Sequence, residues 1–144
     1  MLGNVKKVRD FQLANPGQSN TLQSLVKAEL ASKKHTATEG LLWLSRGLDF
    51  TAQGLRHNVN NPSEELSVSF REAYGNTLKP HHSFLIKPVF SAAMSATPYR
   101  KDFYGKLAED PAEGQQSLEK WLSALESRVK ILKDFMASKQ AQWK

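Results

Sequence analysis

The run Leu41-Leu42-Trp43-Leu44-Ser45-Arg46-Gly47-Leu48-Asp49-Phe50 constrains this chain more than any other stretch. Thr36 and Glu39 precede it with the S/T-x-x-E spacing of a capping box, so a helix is expected to open there. Leu41, Leu44, Leu48 and Leu55 share one face of that helix, while Trp43, Gly47, Phe50 and Gly54 mark a second. A helix apolar on two faces cannot lie on a surface, and this one is predicted to run through the middle of a helical domain. The glycines would let another backbone or a ligand come close to the Trp and Phe rings. Spacing by itself makes Trp43 and Phe50 core residues.

The rest of the chain also reads as helices. In residues 1 to 14, Asn4, Lys7 and Val8 share a face at i, i+3 and i+4. Asn15-Pro16-Gly17 is a turn signal. From about Thr21 to Lys34 a second helix carries Leu22, Leu25, Val26 and Leu30 on one stripe. The central helix should end at Asn60-Asn61-Pro62. There Asn61-Pro62-Ser63-Glu64 offers a cap, a Pro at the first helical position and an acid in the first turn. The next helix holds Leu66, Phe70, Ala73, Tyr74 and Leu78.

Pro80 suits the first turn of a further helix through His81, His82, Phe84, Leu85, Val89, Ala92 and Ala93, which Pro88 should bend. Thr97-Pro98 opens a short helix with Tyr99, Phe103 and Leu107. Asp110-Pro111-Ala112-Glu113 caps the last long one, with Leu118, Trp121, Leu122, Leu125, Val129, Leu132 and Met136 at helical spacing. No segment alternates with period two long enough to make a strand. The expectation is an all-α fold of about seven helices.

Composition narrows the function classes. A chain of 144 residues, 40% hydrophobic and 24% charged, fits one folded domain. The absence of cysteine excludes disulfides and thiolate metal sites. No apolar run is long enough to span a bilayer, and no signal-peptide pattern precedes the first helix, which together predict a soluble, cytoplasmic protein. The net charge of +6 could favour anionic membranes or nucleic acid. No helix clusters Lys and Arg beside aromatics, so nucleic acid is not expected as a partner.

Catalysis finds little to work with. Adjacent His81 and His82 would point about 100° apart on a helix and make no i, i+4 ligand pair. Glu39, four residues after His35, is better explained by capping. No nucleophile elbow, phosphate loop or H-E-x-x-H motif is present, and neither a metal nor a cofactor is predicted. What stands out is Trp43 beside glycines, a polar Asn4/Lys7 face and His82 in an apolar helix. Such a set could place a few polar groups at the mouth of an apolar cavity.

These residues resemble a known family. Gly3-Asn4-x-x-Lys7, Trp43-Leu44-x-Arg46-Gly47-Leu48-x-Phe50, Ala73-Tyr74-x-x-x-Leu78, His82 and Phe90-x-Ala92-Ala93-x-x-Ala96-x-Pro98-Tyr99-x-x-Asp102-Phe103 occur in the order of the glycolipid transfer protein family. The wording from Glu39 to Tyr104 is most similar to its fungal heterokaryon-incompatibility branch. The resemblance implies a two-layer helical sandwich that binds one glycosphingolipid and carries it between membranes without chemistry. It also implies that Asn4 and Lys7 bind sugar hydroxyls, Trp43 stacks on the first sugar, and His82 bonds the ceramide amide. Phe84 stands where the family places an aromatic that dips into the bilayer, so the expected protein is a monomer that visits membrane surfaces transiently.

The family's ceramide-1-phosphate carriers use cationic side chains where this chain has Asn4 and Trp43, so a neutral sugar is favoured over a lipid phosphate. In one respect the chain departs from the pattern. The Asp that opens the family's first motif, and a helix before it, would lie ahead of Met1. The expectation is therefore one glycolipid-transfer domain, residues 1–144, lacking its N-terminal helix. An apolar groove left exposed in this way suggests an alternative, a lipid sensor or adaptor that binds a helical partner.

Overall fold

A computed structural model describes residues 1–144. Seven α-helices follow one another: α1 Leu2–Ala14, α2 Leu22–Ala31, α3 Thr36–Asn60, α4 Leu66–Asn76, α5 Lys87–Ser95, α6 Arg100–Gly105 and α7 Pro111–Ala137. Three single 3-10 turns lie between or after them, at Pro16–Gln18, Lys79–His81 and Lys139–Ala141, and there is no strand. The residues gather into two compact units, Met1–Gly47 with Arg128–Lys144, and Leu48–Ser127. Both α3 and α7 contribute to each.

In the first unit, Leu25 and Val26 of α2, Ala37 and Leu41 of α3, Met136 of α7 and Ala141 form the buried core. Val8 and Phe11 of α1 cover part of it. Thr21 and Ser24 cap α2 reciprocally, each side chain accepting from the other's backbone N–H at 3.0 Å. The first turn of α3 is capped differently from the expected Thr36/Glu39 box. Thr36 is already helical, and Glu29, only 2% exposed, brings its carboxylate across from α2. It accepts from the backbone N–H groups of Ala37 and Thr38 at 2.8 and 2.7 Å, and from the Thr38 hydroxyl at 2.7 Å. A buried carboxylate at a helix N-terminus satisfies otherwise unpaired donors and complements the helix dipole. It sets how α3 starts.

In the second unit, α4 begins later than the Asn61-Pro62 signal suggests. Residues 61–64 form a turn closed by Glu64 N–H donating to Asn61 C=O at 3.0 Å, and the helix starts at Leu66. The Glu64 side chain is drawn away instead, lying 2.9 Å from His57 Nε2. Gly54 gives room for the Phe70 ring, since a Cβ there would stand 2.6 Å from it. Arg56 joins α3 to α7 by pairing with Glu119 at 2.8 Å and Glu126 at 2.7 Å. Hydrogen bonding to Glu126 leads the effects that raise its pKa further.

Asn58, fully buried, is the polar centre of this unit. Its Oδ1 accepts from Arg100 Nη1 at 2.6 Å and from the Tyr104 hydroxyl at 3.0 Å. Its Nδ2 donates to Glu64 C=O at 3.1 Å and Ser69 Oγ at 3.0 Å. All four hydrogen-bonding positions of the amide are thus used.

Asp110 caps α7 as its sequence foretells, accepting from Ala112 N–H at 2.9 Å. Leu118, Leu122, Val129 and Met136 of that helix are buried, but Trp121 is 51% exposed. It sits one residue from Leu122, about 100° around the helix, toward the solvent-facing side of the stripe.

Candidate functional site

Within the first unit, Asn4 and Lys7 of α1 lie against α3 at Gly40. Gly40 is buried, and a Cβ there would lie 3.1 Å from the Asn4 carbonyl oxygen and 3.2 Å from Lys7 Cβ. A residue without a side chain lets α1 come this close to α3 with nothing displaced. Seven residues on, Gly47 leaves room for Met1, whose Cε would be 2.9 Å from a Cβ. Gly40, Trp43 and Gly47 fall three and four residues apart, on one face of α3. The first turns of α1 therefore run beside the α3 segment that carries Trp43. The Trp43 ring is half-buried, and the Arg46 guanidinium lies 4.8 Å from its centroid. Burial lowers the Arg46 pKa. An amide, an ammonium and an indole are groups that suit a ligand with hydroxyls on its rim and an apolar C–H face.

Within the second unit, His82 is not on a helix. It closes the Lys79–His81 turn in an extended conformation, φ −94° and ψ 138°. The expected helix from Pro80 to Ala93 divides because each proline suits a first turn, where its missing N–H costs nothing. Pro88 accordingly starts α5 instead of bending a longer helix. Residues 82–86 are left as a loop, where Phe84 is 78% exposed and Leu85 and Ile86 are exposed beside it.

His82 Nδ1 lies 3.0 Å from the Tyr74 hydroxyl. Its ring is 4.6 Å from that of Phe90, which stacks on Tyr74 at 5.3 Å and 8°. Phe50, half-buried, meets Phe70, Tyr74 and Phe90 edge-on at 5.3 to 6.3 Å. In the sequence Tyr74 belongs to an apolar stripe and to the Ala73-Tyr74-x-x-x-Leu78 motif, with no sign of a partner. Its pairing with a histidine eight positions on depends on the turn at Lys79–His81, which periodicity does not reveal.

Burial first, and then the charges of His81 and Lys87, hold the His82 pKa below its ordinary 6.5. Burial raises that of Tyr74, so its hydroxyl keeps its proton. A histidine held low binds fewer protons folded than unfolded. Its contribution to stability is present above the ordinary value and is lost as pH falls through the folded one. Between about pH 7.5 and about pH 5, the thermal midpoint should fall, and His82→Gln should make that fall shallower. An equal slope in both proteins would clear His82 of the effect.

No group of three His, Asp or Glu side chains gathers as metal ligands would, and no helix is long and apolar enough to cross a membrane.

Seven helices without a strand, and the order of the motifs they carry, are those of a lipid-binding family. The family model for glycolipid transfer protein matches residues 1–109. The glycolipid transfer protein of Aureobasidium melanogenum is 68% identical over 143 residues, covering 99% of this chain and 71% of that protein. The crystal structure of HET-C2, a fungal glycolipid transfer protein, superposes with a TM-score of 0.96 at 57% identity, covering 99% of this chain and 72% of that one. FAPP2, whose structure addresses how simple glycosphingolipids are selected, matches with a TM-score of 0.83 at 30% identity, over 94% of this chain and 70% of that one. This chain belongs to the glycolipid transfer protein family, and its likeness to HET-C2 places it beside the fungal members.

Proposed function

We propose that this chain binds a glycosphingolipid and carries it between membranes without covalent chemistry. The observation that carries the reading is the seating of Asn4 and Lys7 over Gly40, on the α3 face that presents Trp43. In this reading Asn4 and Lys7 hold sugar hydroxyls, Trp43 stacks on the first sugar, and His82 bonds the ceramide amide. Support comes from a relative at 68% identity that is a glycolipid transfer protein, and from the selection of simple glycosphingolipids by FAPP2. A monomer working in the cytoplasm would touch membranes transiently, with Phe84 entering the interface, where aromatic rings are favoured. A lipid phosphate is the poorer fit, because Asn4 and Trp43 offer no charge where a phosphate needs it.

The test is transfer of fluorescent galactosylceramide between neutral phosphatidylcholine vesicles. The protein should speed it well above the spontaneous rate, and unlabelled ceramide-1-phosphate should compete poorly. No acceleration, or preference for the lipid phosphate, would reject the reading.

A further inference from the structure

A pocket of about 460 Å³ opens between α4 and α5. Tyr74 and Met94, both buried, are among its lining residues, and Phe84 from the loop before α5 also lines it. Three cations, Arg71, Lys79 and Lys87, surround it. They come from α4, the Lys79–His81 turn and α5, so the packing of three elements brings them to one place. No carboxylate lies within 4.0 Å of any of them. Arg71 Nη2 donates to Ser95 Oγ, which ties its guanidinium to α5. Beside the pocket, Leu85, Ile86 and Val89 are exposed, which extends the apolar surface of Phe84.

An apolar floor under unpaired cations is a poor end for a hydrocarbon chain alone and a poor seat for a free anion alone. It suits an amphiphile whose anion adjoins apolar carbon. We infer that the α4–α5 pocket seats the phosphodiester of an anionic phospholipid in the membrane from which, or to which, the protein passes its cargo. Arg71, Lys79 and Lys87 contact the phosphate oxygens, the adjoining glycerol and first acyl carbons reach toward Met94, and Phe84, Leu85 and Val89 enter the leaflet. Long basic side chains can keep their heads at the interface while apolar neighbours sit deeper. The inference rests on the reading of Phe84 as the membrane-contacting residue, and adds to it a lipid class. It makes docking selective for acidic leaflets, without a role for these cations in holding the glycolipid.

Vesicle co-sedimentation tests this with two compositions, pure phosphatidylcholine and phosphatidylcholine with about one-fifth phosphatidylserine. The unaltered chain should bind the acidic vesicles on the order of tenfold more tightly, a preference that rising salt erases. Replacing Arg71, Lys79 and Lys87 together by Gln should abolish the preference and leave binding to neutral vesicles, and galactosylceramide transfer between them, unchanged. Phe84→Ala should weaken binding to both. A control with Lys27, Lys34 and Lys120 replaced by Gln removes the same charge from elsewhere and should keep the preference.

Equal losses in the two triple variants would assign the effect to overall charge and overturn the proposal. So would a preference that survives loss of the three pocket cations. Competition by millimolar inorganic phosphate or glycerophosphoserine would also overturn it, since the seat would then serve a soluble anion. Failure of neutral-vesicle transfer in the unaltered chain would sink the carrier reading alone, because the comparison of acidic with neutral binding is scored without glycolipid.

Discussion

Trp43→Ala should slow galactosylceramide transfer about tenfold to thirtyfold, equivalent to roughly 1.5–2 kcal/mol of head-group contact, while the fold stays intact. The ring is half-buried and lies outside the buried core of its unit, which Leu25, Val26, Ala37, Leu41, Met136 and Ala141 build. Its removal should therefore cost binding more than stability. Trp43→Phe should recover part of the rate, because a smaller ring still offers a flat apolar face. Circular dichroism and a thermal midpoint within a few degrees of the unaltered chain would show that the loss is local. Full transfer by the Ala variant would end the assignment of Trp43 to the sugar.

Asn58→Leu should destabilise the chain by about 3 kcal/mol and lower its thermal midpoint by roughly 10 °C. Leucine keeps the branched outline of asparagine and is bulkier, so no cavity opens and the cost is one of lost hydrogen bonds and tighter packing. Four bonds disappear from a fully buried position, and Ser69 and the Tyr104 hydroxyl each lose a partner. Arg100 still reaches the carbonyl oxygens of Asn58, Asn61 and Glu64 at 2.7 to 3.4 Å, which limits the loss. Urea unfolding measures the difference. A change below about 1 kcal/mol would mean that water or rearranged side chains replace the network.

How much of this was legible in the sequence depends on the range of the interactions. The helices themselves were, because their apolar spacing and the Asp110-Pro111 cap act over one or two turns. The start of α3 was not. Its cap is Glu29, eight and nine residues from the N–H groups it serves and on another helix. The helix expected around His82 was read through, because Pro88 reads equally well as a bend or as a first turn, and only packing decides. Trp121 stands three residues from Leu118 and four from Leu125, so spacing puts it on the apolar side of α7, and its 51% exposure is set by what packs there.

The candidate site was legible in a different way. Its residue types stood out, but their roles followed from the family resemblance, and nothing in the spacing connects Asn4 to Trp43. The residue that brings their helices together, Gly40, carries no chemistry of its own. The pairing of Tyr74 with His82 is hidden for a related reason: the hydroxyl matters only once a turn has returned His82 to it.

Gly40 also offers an adjustable ruler. A methyl group added there would press on the Asn4 carbonyl oxygen at 3.1 Å and on Lys7 Cβ at 3.2 Å, so α1 would have to withdraw by a few tenths of an ångström. Asn4 and Lys7 would retreat from α3 while every polar atom kept its identity. Alanine at this one position thus separates spacing from composition. It makes the distance between two helices, and not the list of side chains they bear, the quantity to which a sugar would respond.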